Sequence, residues 1–308
     1  MLAAVLGGAL LAALHHGPRD TGQLVRTAPS RHADVPRPAP LDCTSADGVS
    51  AAEVRQAQEV WAKYLGREIE ETVEIANGVK MTFVIIPPGK FRMGSPEGED
   101  GRFNDETLHE VTLSEPFDLG KTEVTQAQYQ ALTGNNPSNF KGADLPVEQV
   151  SWERARDYAT WLMQKRDDQH TYRLPTEAEW EYSCRGGRPF SKPFGIGDAT
   201  SLSSDQANFN GNRKQTCPVG SYPANALGLF DMHGNVWEWC ADRYGLYLPG
   251  NATNPTGPAQ GSVRILRGGC WICDASRCRA AVRDKREPGW RRLDLGFRLA
   301  RSSPSGGK

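Results

Sequence analysis

Three cysteines lie close together near the end of the 308-residue chain, in the segment RGGCWICDASRC. Cys270, Cys273 and Cys278 give the spacing C-x₂-C-x₄-C. Two thiolates separated by four residues, such as Cys273 and Cys278, can bind a soft ion of low coordination number, and Cu(I) is such an ion. A disulfide between those two residues is an alternative, and three thiols buried in a core is another.

Two further types of cysteine site have weaker support. A structural zinc site needs a fourth Cys or His, and the nearest candidate is Cys240, well upstream in the sequence. The pair Cys270-Trp-Ile-Cys273 has the spacing of a thiol redox motif, but no strand–helix–strand pattern surrounds it. The chain has seven cysteines, so pairing in an exported protein would leave one thiol free.

A second group of candidate ligands lies in GLFDMHGNVWEW, residues 228–239. Asp231 and Glu238 place carboxylates on either side of Gly234, whose missing side chain lets backbone carbonyls approach a cation. Hard oxygen ligands of this kind suit Ca²⁺. The spacing is not that of an EF-hand, so a capped turn without metal is the alternative. His233 is interpreted as a surface residue of this turn.

Composition and the remaining motifs exclude several function classes. The net charge of −1 gives no reason to expect nucleic acid or an anionic membrane as a partner. The sequence contains no G-x-S-x-G, H-E-x-x-H, Walker A or G-x-G-x-x-G motif, so a conventional hydrolase or nucleotide-binding enzyme is not indicated. The acidic stretch from Glu97 to Glu110 is interpreted as a solvated face.

The elements that must position these residues are short and separated by turns. Ser50 and Glu53 predict a capping box at the start of a helix that ends at Gly66. Three further helices are predicted to start at Thr125, Ser151 and Thr176, and none after Phe190. Met81–Ile86 and Lys90–Met93 are predicted to form a hairpin around Pro87-Pro88-Gly89.

The chain divides by composition into unequal segments. Residues 1–14 contain an apolar run too short to span a bilayer and typical of a signal peptide, which favours export or membrane tethering. Residues 15–49 are predicted to be a disordered Pro-rich linker, and 50–66 a helix leading into the domain. Residues 70–301 are predicted to be one domain, followed by a flexible tail at 302–308.

Six segments in register resemble the formylglycine-generating enzyme (sulfatase-modifying factor) family: IPPGKFRMGS, KTEVTQAQYQ, LPVEQVSWERA, YRLPTEAEWEYSCRGG, GLFDMHGNVWEW and RILRGGCW…LGFRLA. The resemblance implies an irregular, loop-rich α+β fold of the C-type-lectin-like kind. It also implies an oxidase that uses O₂ and Cu(I) to convert a cysteine in a sulfatase C-x-P-x-R segment into formylglycine. The expected partner is therefore a protein or peptide, with a sulfatase among the candidates.

The resemblance assigns roles around the cysteine segment. Cys273 and Cys278 match the two copper thiols, and Ser276 matches the serine between them. Cys270 takes the position of an active-site serine and is expected either to take part in catalysis or to donate a third thiolate. Asp274 and Arg277 replace the family's His and Tyr. These departures favour an alternative function, a non-catalytic lectin-like binding module of the same fold.

For calcium, the resemblance matches Asp231, Gly234, Val236 and Glu238 to one family site, in which Gly234 and Val236 would offer backbone carbonyls. It also matches Cys184 to a position that forms a disulfide in some members. Because the partner position holds Arg283, Cys184 is predicted to be a free thiol.

Overall fold

Short capping motifs set the ends of the helices. This computed structural model describes residues 36–166 and 168–302, and within them the helices are α1 Ala51–Leu65, α2 Gln126–Thr133, α3 Trp152–Arg166 and α4 Glu177–Arg185. Ser50, Thr125 and Thr176 each form a reciprocal capping box with the residue three positions later. A left-handed glycine ends α1, α2 and α4. The predicted helices are confirmed.

The strands of the described region build three small sheets, which agrees with the predicted irregular α+β fold. In chain order they are β1 Leu41–Cys43, β2 Glu70–Ala76, β3 Val79–Ile86, β4 Gly89–Met93, β5 His109–Leu113, β6 Phe117–Gly120, β7 Thr171–Arg173, β8 Trp237–Arg243, β9 Ala252–Thr253, β10 Arg264–Arg267, β11 Asp284–Arg286, β12 Leu295–Gly296 and β13 Ala300–Ser302. The sheet orders are β1-β4-β5-β9, β11-β10-β8-β12 and β2-β3-β6-β13-β7. Strands β8 and β10 flank the two candidate sites and pair antiparallel.

The predicted hairpin between β3 and β4 is wrong. Strand β3 pairs with β2 and β6, whereas β4 pairs with β1 and β5 in a different sheet. Gly89 allows the change of sheet, because a Cβ there would lie 2.2 Å from the Tyr182 hydroxyl and 2.6 Å from the Leu41 carbonyl. The true hairpin joins β2 to β3 through Asn77-Gly78, where both residues have positive φ.

Part of the predicted linker belongs to the fold. Leu41 donates its backbone N–H to the Pro88 carbonyl at 2.9 Å, and Cys43 is buried. The prediction of disorder is therefore wrong for Leu41–Cys43, because strand pairing with β4 satisfies backbone groups that composition alone leaves exposed. The predicted tail also starts one residue too early, since Ser302 lies in β13.

Buried arginines cross-link the core. Arg267, Arg298 and Arg301 are fully buried, and each pairs with carboxylates from distant segments. Strand β13 lies between β6 and β7, so the end of the domain is held inside a sheet. Burial of a charge is tolerated only where it is paired and hydrogen-bonded. These pairs therefore fix which segments meet around the candidate sites.

Residues 1–14 and 15–35, where the signal-like segment and most of the linker were predicted, lie outside the described residues, as do 303–308. Between residues 36 and 302, excluding 167, no helix is long and apolar enough to cross a bilayer.

Candidate functional site

Two glycines shape the entry into the cysteine segment, which is named here the cysteine loop (Gly268–Cys278). Gly268 and Gly269 have φ of 97° and 77°, which an L side chain rarely adopts. A Cβ on Gly269 would lie 2.5 Å from the Cys278 Sγ, so the two ends of the loop pack in direct contact. A 3-10 helix at Ala275–Cys278 then places Cys278 in the core.

The three cysteines of the loop differ in exposure. All seven cysteines lie in the described region and are free thiols, so the prediction for Cys184 is confirmed. Cys270 and Cys278 are fully buried, whereas Cys273 is partly exposed. The neighbouring Cys270 thiol lowers the pKa of Cys273, and Cys273 raises the pKa of Cys270. Burial raises the pKa of Cys278.

Asp274 and Ser276, which lie between the two matched thiols, are bonded to each other. The Ser276 hydroxyl donates to Asp274 Oδ1 at 2.5 Å, and the Arg277 N–H donates to the same oxygen at 3.1 Å. Asp274 is therefore the N-cap of the 3-10 helix, and the Ser276 bond lowers the pKa of its carboxyl. In this conformation Ser276 supports the loop rather than facing a reacting atom.

His233 is buried, so its assignment to the surface is wrong. Its Nδ1 donates to the Cys278 carbonyl at 2.7 Å, and its Nε2 accepts from the Gly195 N–H at 2.9 Å. Burial lowers the pKa of this imidazole to about 4, so the ring is neutral near pH 7. The ring fixes the backbone of Cys278 through the hydrogen bond to its carbonyl. A lone His in a turn carries no sequence signal for this role, since the partner is 45 residues away.

Arg279 ties the acidic stretch to the cysteine loop. Its guanidinium donates to both carboxylate oxygens of Glu106, to Glu99 and to the Gly101 carbonyl. The prediction of a solvated acidic face is therefore wrong for Glu99 and Glu106, which are buried around this cation. The pairing carries the 97–106 segment to within contact of Ser276, where a Cβ on Gly101 would lie 2.9 Å from the Ser276 Cβ.

The surface around Cys273 is partly apolar. Ile272 has 42% of its surface exposed, and Trp271 packs edge-on against Phe140 with ring centroids 5.7 Å apart. The Asn210 N–H donates to the Cys273 carbonyl at 2.7 Å, and the Gly211 N–H donates to the Trp271 carbonyl at the same distance. The loop that contains Asn210 and Gly211 therefore holds the backbone that carries the partly exposed thiol of Cys273.

Two of the predicted metal sites, the three-thiolate site and the zinc site, need three or more convergent side chains. No group of three or more Cys, His, Asp or Glu side chains there is arranged to hold a metal ion. In this conformation Cys270 is not arranged as a third metal ligand with Cys273 and Cys278, and Cys240 does not complete a zinc site with them. Cys240 instead lies in β8, where its carbonyl accepts from the Trp152 indole. A two-thiol site at Cys273 and Cys278 is compatible with this finding.

Glu238 of the calcium motif is already neutralised. Arg298 donates to both carboxylate oxygens at 2.7 Å, and the Trp180 indole donates to Oε2 at 2.7 Å. All three groups are buried. A Ca²⁺ ligand must offer oxygen lone pairs to the ion, and Arg298 and Trp180 already use three of the roughly four lone-pair positions of this carboxylate. The Glu238 side chain therefore does not fit the role that the resemblance gave it.

The other predicted calcium residues pack closely on their neighbours. Asp231 accepts from the Gly220 N–H at 2.6 Å, and Val236 is buried. A Cβ on Gly234 would lie 2.3 Å from the Asn208 carbonyl, so close backbone packing accounts for this glycine. Burial, followed by the negative charge of Asp231, raises the pKa of the neighbouring Glu123. Sequence reasoning missed Glu123, which follows a strand without any motif of its own.

The fold and these motifs define the class of protein. Residues 71–303 match the sulfatase-modifying factor enzyme 1-like domain, and the chain belongs to this family.

Individual relatives carry different names. The chain is 31% identical to the formylglycine-generating enzyme of Streptomyces coelicolor over 70% of its own length and 88% of the relative. It is 35% identical to the serine/threonine-protein kinase pkn1 of Chlamydia caviae over 79% of its length, and it spans only 41% of that relative. The solved structure of Treponema denticola variable protein 1 matches with a TM-score of 0.67 at 30% identity, covering 76% of this chain and 99% of that one.

Proposed function

We propose that this protein is an oxidase of the formylglycine-generating kind, which acts on a cysteine of a protein segment of the C-x-P-x-R type with O₂ and Cu(I). The observation that carries the proposal is the pair of free thiols at the two matched positions, Cys278 buried and Cys273 partly exposed. A substrate thiol can reach the site only where the site is accessible to solvent. Cys273 is the accessible thiol of the pair.

The donor set suits the ion. Cys273 and Cys278 would hold Cu(I), which prefers sulfur and accepts low coordination numbers. Bound there, copper would supply the one-electron chemistry with O₂ that thiols lack. Gly269 leaves room for the Cys278 sulfur, and His233 fixes the backbone of Cys278 through its carbonyl. The protein thus contributes two sulfurs at matched positions, and the sulfur of Cys278 is buried.

The apolar side chains around Cys273, one exposed and two half-buried, suit a peptide. Ile272 and the Trp271–Phe140 pair offer apolar contact area beside the thiol. Aromatic and aliphatic anchors next to a reactive group commonly orient a bound segment. We therefore propose that the substrate is a cysteine in an exposed segment of another protein, with a sulfatase as one candidate.

Copper titration and a peptide assay test the proposal. Purified protein should bind one Cu(I) tightly, and a peptide containing Cys-x-Pro-x-Arg should lose its thiol and gain an aldehyde, as detected by mass spectrometry. Cys273→Ser and Cys278→Ser should each abolish both results, because a hydroxyl is a poor ligand for so soft an ion. Cys217→Ser, a buried cysteine beside Asn235 outside the loop, serves as the matched control. Copper binding by both loop variants at wild-type strength would overturn the proposal.

A binding module of the same fold is the second candidate. Its support is that Ser276 is bonded to Asp274, and that the exposed Arg277 lies over the Phe103 ring at 5.8 Å where the family's enzymes have Tyr. The same titration separates the two functions. If the peptide binds with unchanged mass, and without dependence on copper or on either thiol, the site is a binding surface.

A further inference from the structure

Cys270 and Cys273 have a backbone geometry that permits a disulfide. The Cys273 N–H donates to the Cys270 carbonyl at 3.0 Å, so the four residues from Cys270 to Cys273 form a tight turn. The ends of such a turn have Cα atoms within about 7 Å. A disulfide needs a Cα separation of about 4.4 to 6.8 Å. Both sulfurs are free thiols in this structure.

The two thiols differ in access. Cys273 is partly exposed, whereas Cys270 has no exposed surface and lies behind it. The Cys270 Sγ is 3.5 Å from Oδ2 of Asp294, a carboxylate that is itself almost fully buried. An incoming disulfide can therefore reach only Cys273. Asp294 is placed to accept the proton that Cys270 must lose before it can attack.

Cys278 occupies a different place. Its sulfur packs against Gly269, and its backbone carbonyl is held by His233. It is the last residue of the 3-10 helix and lies outside the tight turn. The loop thus offers Cys273 two possible partners, and only Cys270 is reached through a four-residue turn.

We propose that Cys270 and Cys273 form a thiol–disulfide exchange pair, with Cys273 as the nucleophile and Cys270 as the resolving thiol, acting on an accessible disulfide of another molecule. The Cys273 thiolate attacks one sulfur of that disulfide, so a mixed disulfide forms and one thiolate leaves. Cys270 gives its proton to Asp294 and attacks the Cys273 sulfur, and the second thiolate leaves. The substrate disulfide gains two electrons and becomes two thiols, and the Cys270–Cys273 pair is oxidised.

This activity goes beyond the proposed oxidase and needs neither copper nor O₂. It also gives Cys270 a role that a serine at the same position cannot fill, because a hydroxyl does not resolve a mixed disulfide. Oxidation of the pair removes Cys273 from any metal, so the two activities are mutually exclusive in one molecule.

Peptide mapping after reaction with glutathione disulfide tests the proposal. The full-length protein, freed of copper and oxygen, is incubated with the probe, alkylated and digested with trypsin. Trypsin cuts after Arg267 and Arg277, so Cys270 and Cys273 share the peptide 268–277 while Cys278 leaves on another. The expected product is the 268–277 peptide with an internal disulfide, together with two reduced glutathione molecules released per chain. A cross-link from 268–277 to the Cys278 peptide, or no disulfide at all, would overturn the proposal.

Three variants identify the roles. Cys270→Ser should accumulate Cys273 joined to glutathione, because the mixed disulfide is no longer resolved. Cys273→Ser should release no glutathione, and Cys278→Ser should still form the internal disulfide. Circular dichroism establishes that each variant is folded before it is scored. If Cys270→Ser releases glutathione in the same yield as the wild type, Cys270 is not the resolving thiol. Copper binding is read separately, so the outcomes for the oxidase and for the exchange pair remain distinct.

Discussion

The turn Gly228–Trp239 and the cysteine loop both match family motifs, yet their reactive groups are in opposite states. In the turn, Glu238 is buried and bound on both oxygens by Arg298. In the cysteine loop, Cys273 is partly exposed and its sulfur is not sealed by a cation or a disulfide. The turn holds distant segments together through an ion pair, whereas the cysteine loop leaves a sulfur atom available for reaction. A motif match therefore predicts where a side chain lies in the fold. The contacts of that side chain decide whether its role is structural or chemical.

Breaking the ion pair in the turn should have the largest effect. Arg298→Met would leave Glu238 as an unpaired buried carboxylate beside Glu123 and Asp231. Removing one partner of a buried pair typically costs about 3–5 kcal/mol. Urea denaturation should show this loss. Glu71→Gln, which alters the partly exposed partner of Arg301, is the control and should cost much less. Equal losses in the two variants would mean that burial does not set the strength of these pairs.

Acidification should weaken the support of the cysteine loop. The pKa of His233 falls from its usual 6.5 to about 4 on folding, so the unfolded chain binds the proton first. Its contribution to stability is fully present above pH 6.5 and is lost as the pH falls to about 4, by about 3 kcal/mol in all. His233→Gln removes the ring that bonds the Cys278 carbonyl and the Gly195 N–H, so it should be less stable at pH 7. Without the imidazole it should also show a flatter pH dependence.

Asp231, in the same turn, changes the stability with pH in the direction opposite to His233. Burial raises the pKa of Asp231 to about 6, so its contribution improves as the pH falls from about 6 towards 3.8. The difference between wild type and His233→Gln, measured by denaturation at each pH, isolates the imidazole from this carboxyl. His109→Gln, at a half-buried histidine of β5, is the control. If wild type and His233→Gln have parallel pH curves, the ring does not titrate in this range.

Crowding the cysteine loop should affect copper binding more than stability. Gly269→Ala places a methyl group against the Cys278 sulfur at a positive φ, and we expect a loss of about 1–3 kcal/mol together with weakened Cu(I) uptake. Gly134→Ala has a similar φ of 73° but open space around it, so it should cost about 1 kcal/mol and leave copper uptake unchanged. Full copper uptake by Gly269→Ala would show that Cys278 is not a ligand.

The smallest effect is expected from calcium removal. Because Arg298 already occupies both oxygens of Glu238, the melting temperature should be the same in chelator and in Ca²⁺. An ion that binds only the native state raises the melting temperature. A clear drop in chelator would restore calcium to this turn, with Asp231 and the carbonyls of Gly234 and Val236 as its remaining predicted ligands.

Local sequence determined the helices and the composition of the cysteine loop. Capping boxes such as Ser50 with Glu53 join residues three apart, so they can be read without knowledge of the fold. Six motifs in register also specified the family and its irregular α+β architecture. Local sequence gave the wrong pairing for β3 and β4, which are adjacent in the chain but belong to different sheets. Strand pairing depends on what each strand meets elsewhere, and a turn signal such as Pro87-Pro88-Gly89 does not contain that information.

Only the tertiary structure shows which side chains are neutralised by a partner and which remain accessible to solvent. Arg298 meets Glu238 across 60 residues, His233 meets Cys278 across 45, and Arg279 meets Glu106 across 173. Such pairs form because burying a charge or a ring nitrogen without a hydrogen-bond partner costs free energy. The partner that is nearest in space is distant in sequence. The sequence by itself determined that thiols and carboxylates lie at the family's positions. Packing determined that the carboxylate of Glu238 is held by an arginine, while the thiol of Cys273 remains accessible.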